Sequence, residues 1–226
     1  MTSATPINPQ HAIVVGAGPG LGASIARRFG REGFAITLVA RNKQTLSALA
    51  DELRADGVQV DTVTADASDA AGFRKALDEI AVAATPTVVV YNAALVASDN
   101  VLTHDVEYFA NAYTVDVLGA ISAAQAFTPA MRQAGTGTFL ATGGYASVEP
   151  YPAYATLGLG KAALRNAVSM LHDELKPDGV HVAGVTIWGP IAPGTPVDPD
   201  LIADVYWNLH TQPAEQWTAE TRFDGK

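Results

Sequence analysis

The sequence contains no cysteine among its 226 residues. It therefore has no disulfide framework, no thiolate metal site and no cysteine nucleophile. Basic residues are also scarce, since 14 lysines and arginines stand against 23 aspartates and glutamates and the formal net charge is -9. A surface of that sign repels nucleic acid and anionic membranes, so we expect neither as the main partner. The charge favours a small metabolite or another protein.

Long hydrophobic runs and metal-ligand spacings are missing as well. The start, MTSATPINPQ, is polar and lacks a hydrophobic signal region, and no apolar run is long enough to cross a bilayer. The five histidines are scattered without the spacing of metal ligands, so we expect no metal site and we place each histidine at a surface or capping position. These absences predict a soluble cytoplasmic protein.

The chain is organised as short apolar runs that alternate with longer segments of helical periodicity. This alternation is typical of βαβ units around a parallel sheet. The predicted strands are AIVVGA, FAITLVA, VQVDTVTA, PTVVVYNA, GTFLATG, VHVAGVTIWG and WTAETRF. The predicted helices lie near residues 21–32, 43–56, 69–83, 104–133, 153–176 and 198–210. We therefore predict one α/β domain over residues 1–226, a Rossmann doubly wound parallel sheet of about seven strands with helices on both faces.

A glycine-rich stretch, VVGAGPGLGASIARRF, joins the first strand to the first helix. Gly16, Gly20 and Gly22 suit a tight turn, a close approach of backbone to pyrophosphate and helix packing, while the helix start at Leu21 offers N–H groups to an anion. In this strand and helix context the triplet predicts a dinucleotide site. The alternative is a turn that binds no ligand.

The second strand ends in LVARN, without the acidic residue that holds the ribose 2′-hydroxyl in NAD sites. Arg41 offers a planar cation to a 2′-phosphate, and Asn42 adds a polar contact. The sequence therefore predicts NADP, as NADPH, rather than NAD. The alternative is that Arg41 is a solvated residue at a strand end.

These residues resemble the short-chain dehydrogenase/reductase family over nearly the whole chain. GAGPGLG looks like its glycine motif, Asp66 and Ala67 in TADASD resemble its adenine-side turn, and Asn92 and Ala93 in YNAA resemble its Asn-Asn-Ala-Gly strand end. Lys161, followed by AAL, matches the family lysine. The resemblance implies that Lys161 binds the nicotinamide ribose hydroxyls and lowers the pKa of a nearby phenol.

Three of the four usual catalytic side chains of that family are changed in this sequence. The places of the tyrosine and the serine fall at Leu157 and Gly144, and that of the helix asparagine falls at Asp116. Neither leucine nor glycine can donate a proton, so the ordinary carbonyl-reducing mechanism cannot run through those two positions. Asp116 is a candidate partner of Lys161 or a cap for local backbone, and as a partner it would leave less positive charge to acidify a phenol.

A second pattern within the family fits this helix better. In its divergent branch, the bacterial enoyl-acyl carrier protein reductases, a tyrosine precedes the lysine by seven residues, and YATLGLGK resembles that motif with Tyr154 as the phenol. On a helix that spacing is almost two turns, which places both side chains on one face about 10.5 Å apart along the axis. Tyr145 resembles the second tyrosine of that branch, and Gly189 and Ile191 in WGPIAPGT resemble its nicotinamide loop. The alternative for both tyrosines is ordinary packing.

Only APGTPVDP separates the Gly-Pro-Ile loop from the last predicted helix, so we expect a shortened C-terminal substrate lid. An open cleft would admit water and bulky or tethered small-molecule substrates. The resemblance also implies a homodimer or homotetramer that packs through the long helices.

The leading hypothesis is an NADPH-dependent oxidoreductase that delivers hydride to an activated C=C or C=O bond. Its catalytic candidates are Tyr154, Tyr145, Lys161 and Asp116. Two alternatives stay open: a dinucleotide-binding protein without redox turnover, and a cyclase or isomerase that keeps the cofactor as a structural part.

Overall fold

The structure is a computed structural model that describes residues 7–225. Within that range seven parallel strands form one sheet in the order β3-β2-β1-β4-β5-β6-β7. The strands are β1 (Ile7–Val15), β2 (Ala35–Ala40), β3 (Val60–Thr64), β4 (Thr85–Tyr91), β5 (Gly137–Gly144), β6 (Val180–Ile187) and β7 (Glu220–Phe223). The strand order reverses between β1 and β4, and a crevice forms at the carboxyl ends of strands at such a point. The predicted fold class is confirmed.

Helices cover both faces of the sheet. They are α1 (Leu21–Arg31), α2 (Lys43–Ala55), α3 (Ala70–Ala83), α4 (Val106–Tyr113), α5 (Gly119–Ala134), α6 (Ala155–Leu175) and α7 (Pro199–Thr211). The predicted bounds of most elements are right to within two or three residues. The first strand begins five residues before its predicted start, at Ile7.

One predicted helix, over residues 104–133, is wrong in its interior. The chain forms α4 and α5, joined by a π-helical turn at Thr114–Leu118. The hydroxyl of Tyr91 donates a hydrogen bond to the carbonyl of Val115, inside this turn. A side chain that binds a carbonyl within a helix disturbs the regular backbone ladder, and the periodicity of the sequence does not reveal such a contact. The turn carries Asp116, one of the catalytic candidates.

The core has two layers because strands at the sheet centre are buried on both faces. Along β1, Ala12 and Val14 pack with α1, α2 and α7, while Ile13 and Val15 pack with α3, α5 and α6. Successive side chains of a strand point to opposite faces, so a continuous apolar run supplies both layers. The sheet is thereby held rigid beneath its carboxyl edge.

Three of the five histidines are buried, and the expectation that each lies at a surface or capping position is wrong for them. His11, His172 and His181 are 6%, 6% and 1% exposed. Their ring nitrogens share hydrogen bonds with the Thr37 hydroxyl, at 2.8 Å, and with the carbonyls of Val182, at 2.7 Å, and Leu209, at 2.9 Å. Each of these hydrogen bonds compensates in part for the water that the ring loses on burial, while Nδ1 of His11 and Nε2 of His181 have no hydrogen-bond partner among residues 7–225.

None of the helices in residues 7–225 combines the length and the hydrophobicity that a transmembrane span requires. The cytoplasmic location stays a prediction. Among the same residues, no group of three or more histidines and carboxylates is arranged to hold a metal ion.

The buried face of α5 gives a direct test of this packing. Phe127 is fully buried between α5 and the sheet, so we expect Phe127→Ala to lower the free energy of unfolding by about 3–5 kcal/mol through lost burial and the cavity left behind. Leu102→Ala is the matched control, because Leu102 is 93% exposed. Urea unfolding measures both. A loss below about 1 kcal/mol for Phe127→Ala would contradict the assigned core.

Candidate dinucleotide and active site

A cleft of about 530 Å³ opens at the carboxyl ends of β1, β2 and β4. It lies where the strand order reverses, the usual position of a ligand in a doubly wound sheet. Seven of the predicted cofactor residues line it: Gly16, Arg41, Asn42, Asp66, Ala67, Asn92 and Ala93. The fold therefore gathers residues that are far apart in the sequence around one cavity.

The glycine loop closes one side of the cleft and can be built only with glycine at two positions. Gly16 has a φ of +86°, and a Cβ added to it would lie 2.4 Å from the backbone nitrogen of Ala93. A Cβ on Gly22 would lie 2.3 Å from the carbonyl oxygen of Gly16. Both spaces are too small for any side chain. Because glycine has none, β1 can approach β4 and α1 can begin at Leu21 directly behind the loop. Gly20 is the N-cap of α1.

Arg41 and Asn42 follow β2 at the edge of the cleft. Arg41 is exposed and takes part in none of the ion pairs formed within residues 7–225. The side-chain oxygen of Asn42 accepts a hydrogen bond from the backbone N–H of Thr45, at 3.0 Å, and caps α2. The guanidinium is free to bind an anion, whereas Asn42 has only its amide N–H groups to offer.

Two other predicted cofactor residues hold the walls of the cleft. One oxygen of Asp66 accepts hydrogen bonds from both the backbone N–H and the hydroxyl of Ser68, at 2.9 and 2.8 Å, which fixes the turn after β3. The Asn92 amide donates to the Gly16 carbonyl at 2.9 Å, and its oxygen accepts from the Thr142 hydroxyl at 2.8 Å. Asn92 thereby connects the glycine loop to β5.

Lys161 is buried on α6, with 4% of its surface exposed. Its ammonium donates a hydrogen bond to the carbonyl of Thr142 at 2.7 Å. Burial lowers the pKa of Lys161, and the charge of Asp116 opposes that shift. The lysine is thus attached to the same residue that holds Asn92, and Thr142 connects the dinucleotide cleft to the catalytic candidates.

Asp116 is fully buried in the π-helical turn. One carboxylate oxygen accepts a hydrogen bond from the backbone N–H of Leu95 at 2.8 Å, and the other has no hydrogen-bond partner among residues 7–225. Burial raises the pKa of Asp116 to about 6, although Lys161 and the Leu95 N–H act in the opposite direction. Asp116 therefore binds a backbone N–H 21 residues earlier in the chain, and it influences Lys161 through its charge without forming an ion pair with it in residues 7–225.

Tyr154 and Tyr145 lie in an aromatic cluster that also contains Tyr151 and Trp188. The ring of Tyr154 stacks on Tyr151 with centroids 5.6 Å apart, and Tyr145 lies 6.4 Å from Tyr151 and 6.5 Å from Trp188. Tyr154 is the N-cap of α6 with a φ of -139°, so it stands just outside the helix. We expected Tyr154 and Lys161 to lie about 10.5 Å apart along one helix face. That distance does not apply, because it requires both residues to lie within the helix and α6 begins at Ala155.

The places of the family serine and tyrosine carry no proton donor in the structure. A Cβ on Gly144 would meet no atom within 4 Å, so open space replaces a side chain there. Leu157 is half-buried on the first turn of α6. The phenols nearest to these places are those of the aromatic cluster, and the hydroxyls of Thr142 and Ser147 also lie at or just after the end of β5.

Gly189 and Ile191 belong to a short loop of residues 188–198 between β6 and α7. Gly189 has a φ of +137°, which favours glycine, and Ile191 is 41% exposed. The loop folds on itself, since Ala192 donates to the Val197 carbonyl at 3.2 Å. Neither residue is part of the lining of the 530 Å³ cleft, and the same is true of Tyr154, Tyr145, Lys161 and Asp116.

Sequence reasoning missed Thr142 and Tyr206. The two hydroxyls share a hydrogen bond of 2.7 Å, and Tyr206 on α7 is fully buried. Burial raises the pKa of Tyr206, and the contact with Thr142 opposes that rise. A polar residue inside the buried strand GTFLATG was a signal for Thr142, but nothing in the spacing paired it with a tyrosine 64 residues later.

Comparisons with known proteins agree with this geometry. The family model described as short chain dehydrogenase matches residues 10–198. The chain therefore belongs to the short-chain dehydrogenase/reductase family, whose members are NAD(P)-dependent oxidoreductases.

Individual relatives are distant. A very-long-chain 3-oxoacyl-CoA reductase of Neurospora crassa is 32% identical over 177 residues, which cover 76% of this chain and 53% of that enzyme. This chain thus spans about half the length of the fungal reductases it matches. An uncharacterized oxidoreductase of Staphylococcus epidermidis is 27% identical over 217 residues, covering 90% of this chain and 91% of that protein.

Two solved structures resemble this chain closely in fold and distantly in sequence. A metagenomic short-chain oxidoreductase in complex with NADP has a TM-score of 0.87 and 26% identity, covering 96% of this chain and 99% of that one. An alcohol dehydrogenase from the archaeon Thermococcus sibiricus, complexed with 5-hydroxy-NADP, has a TM-score of 0.85 and 27% identity, covering 95% and 96%.

The buried carboxylate of Asp116 predicts a pH-dependent gain in stability on substitution. Its pKa of about 6 in the folded chain lies above the ordinary 3.8, so the folded state loses stability as pH rises from 3.8 to about 6, and the full cost applies above that range. We expect Asp116→Asn to raise the free energy of unfolding by about 2–3 kcal/mol at pH 8, with the gain fading towards pH 4. Urea unfolding at both pH values measures this. A gain independent of pH would contradict a buried ionised carboxylate.

Proposed function

We propose that the protein is an NADPH-dependent reductase that delivers hydride to an activated C=C or C=O bond of a small organic molecule. The observation that carries the proposal is the chain of contacts from the glycine loop through Asn92 and Thr142 to Lys161. These contacts attach the buried ammonium of Lys161 to a wall of the 530 Å³ cleft, which supports a role for this cation beside a bound dinucleotide. NADPH, when bound, supplies the hydride.

The described residues fit a dinucleotide with a 2′-phosphate. The bare glycine loop would receive the pyrophosphate at the start of α1, and Asp66 and Ala67 would flank the adenine. Arg41 would bind the 2′-phosphate, because it is exposed at the cleft edge and carries a planar cation without an ion-pair partner in the described chain. The likeness to structures that contain NADP and 5-hydroxy-NADP supports the same cofactor.

The protein's own chemistry would depend on Lys161 and the aromatic cluster. Lys161 would hold the nicotinamide ribose hydroxyls and place a positive charge near the reacting oxygen. Gly144 and Leu157 offer no proton, and we assign its supply or relay to a phenol, because Tyr145 directly follows β5 and Tyr154 directly precedes α6. Gly189 and Ile191 would flank the nicotinamide in the loop after β6. Asp116 would set the charge state of Lys161.

The short loop after β6 favours a bulky or tethered substrate. Only residues 188–198 separate β6 from α7, and Ile191 and Tyr151 are 41% and 48% exposed at this end of the sheet. Enoyl and 3-oxoacyl thioesters fit such an open site. The similarity to a 3-oxoacyl-CoA reductase supports the inclusion of thioesters among the substrates to be tested.

We also infer one domain over residues 1–226 and a homodimer or homotetramer. Exposed apolar side chains on the long helices support the assembly: Val106 on α4, Leu118 in the π-helical turn and Met170 on α6 are 84%, 42% and 62% exposed. The helices thus present apolar side chains that a second subunit could bury.

Removal of the Tyr154 hydroxyl tests the assigned proton donor. We expect Tyr154→Phe to lower kcat for NADPH oxidation by about 100-fold or more, while the Kd for NADPH changes less than about twofold. The assay uses 2-cyclohexenone, a crotonyl thioester, an acetoacetyl thioester and benzaldehyde. Tyr113→Phe is the control, since Tyr113 is an exposed tyrosine at the end of α4.

The same assay separates the rival functions. Unchanged turnover in Tyr154→Phe would show that another group donates the proton. Tight NADPH binding without deuteride transfer from labelled NADPH to any acceptor would instead favour a dinucleotide-binding protein. Product formation without cofactor consumption would favour a cyclase or isomerase.

Substitution of Arg41 tests whether the site binds NADPH in preference to NADH. A charge-assisted contact with a phosphate contributes about 1.5–3 kcal/mol, so we expect Arg41→Ala to weaken NADPH binding by about 10-fold or more at low salt and to leave NADH binding within about twofold. Fluorescence titration measures both Kd values. Lys75→Ala, an exposed cation on α3 paired with Glu79 at 3.8 Å, is the control. Equal losses for NADPH and NADH would remove Arg41 from the 2′-phosphate site.

A further inference from the structure

Asp99 is a buried carboxylate that neither the sequence motifs nor the proposed mechanism uses. It lies in the loop between β4 and α4, and only 5% of its surface is exposed. Burial of a carboxylate is costly unless hydrogen bonds compensate for the lost water. The contacts that compensate for it therefore indicate what this side chain does.

These contacts lead to the start of α6. One carboxylate oxygen accepts from the backbone N–H of Thr156 at 3.2 Å, and the other accepts from the hydroxyl of the same residue. The backbone N–H of Asp99 donates to the carbonyl of Ala153 at 3.0 Å, and Asp99 forms an isolated parallel bridge with Tyr154. Residues on both sides of Tyr154 are thus attached to Asp99.

Helix α6 has no cap of its own at this end. Tyr154 occupies the N-cap position and makes no side-chain capping hydrogen bond. The first N–H groups of a helix need acceptors, and the positive end of the helix dipole favours an anion. Asp99 meets both needs from a position 57 residues earlier in the chain.

The carboxylate is ionised at neutral pH. Burial opposes its charge, but hydrogen bonds from Thr156, from the Tyr108 hydroxyl and from the Ala155 backbone outweigh burial and hold the pKa of Asp99 below its ordinary value. Tyr108 on α4 donates at 3.1 Å. The loop after β4, helix α4 and the start of α6 therefore meet at one anion.

From this arrangement we propose that Asp99 is the positioning residue for Tyr154. It fixes the backbone on both sides of Tyr154, so that the phenol stays in the aromatic cluster. Asp99 acts through Tyr154 and does not itself exchange a proton with the substrate. This inference rests on the proposed function, in which Tyr154 is the proton donor.

The position of Tyr154 can be measured without turnover. In NADPH-bound protein labelled with 3-fluorotyrosine, the ¹⁹F resonance of Tyr154 is assigned by its loss in Tyr154→Phe. We expect Asp99→Ala to shift or broaden that resonance, and Asp69→Ala to leave it unchanged. Asp69 is a matched control because it caps α3 through the Gly72 N–H at 3.1 Å, away from α6.

An unchanged Tyr154 resonance in folded Asp99→Ala would overturn the inference. If Asp99→Ala does not fold, Asp99→Asn decides instead, because asparagine keeps an acceptor for the Thr156 N–H but loses the charge and the second acceptor, which receives the hydroxyls of Thr156 and Tyr108. A resonance that shifts or broadens in Asp99→Asn supports the inference, and an unchanged one overturns it.

Kinetics distinguish positioning from simple stabilisation of α6. With the acceptor that wild type reduces fastest, we expect Asp99→Ala to lower kcat by about 10-fold or more and to leave KM for NADPH within about twofold. In the Tyr154→Phe background the same substitution should cost less than about twofold, since the two residues act as one unit. A cap that only stabilises the helix would lower Tm and leave kcat unchanged.

The Tyr154→Phe and Asp99→Ala variants test the proton donor and the positioning residue separately. Loss of activity in Tyr154→Phe with full kcat in Asp99→Ala overturns the positioning role alone. Full activity in Tyr154→Phe overturns the proton donor, and the ¹⁹F result still decides whether Asp99 positions the ring.

Discussion

The close approach of β1 to β4 is the constraint on which the site depends. Gly16 leaves no room for a side chain against Ala93, and the amide of Asn92 bridges the Gly16 carbonyl and the Thr142 hydroxyl at 2.9 and 2.8 Å. Thr142 in turn holds the ammonium of Lys161 through its carbonyl, at 2.7 Å. Three neighbouring strands and α6 are therefore joined at one point. Rigid main-chain contacts of this kind keep a functional group in place better than side-chain packing alone.

The electrostatics of the site follow from burial more than from surface charge. Lys161 and Asp116 are both buried, and an isolated charge is expensive there, so each group depends on its neighbours. No ion pair within 4.0 Å joins them in residues 7–225, and each is held instead by a backbone group, Thr142 for the lysine and Leu95 for the carboxylate. An asparagine would have satisfied the same backbone N–H without a charge. The acid at this place therefore changes the proton affinity of Lys161 and destabilises the fold at neutral pH.

The aromatic cluster and the short loop after β6 lie in the region where this chain differs from the family pattern. Where the family has a serine, Gly144 leaves open space, and where it has a tyrosine, Leu157 presents a hydrocarbon. The rings of Tyr145, Tyr151 and Tyr154 lie between the end of β5 and the start of α6, beside Trp188. Asp99 extends this region into the loop after β4 and fixes the start of α6. The chemistry proposed for the protein thus depends on residues that three separate loops bring together.

The sequence by itself determined the fold class, the seven strands and seven of the residues that line the cleft. Buried parallel strands need continuous apolar runs, and a close approach of backbone to backbone needs glycine, so both constraints act on local sequence and can be read there. Only the tertiary structure decided the π-helical turn at Asp116, the role of Thr142 as a junction and the capping of α6 by Asp99. Each of these depends on a hydrogen bond between residues that are 19 to 64 positions apart. No periodicity or motif spacing encodes such a bond, because its geometry exists only after the sheet has brought the two partners together.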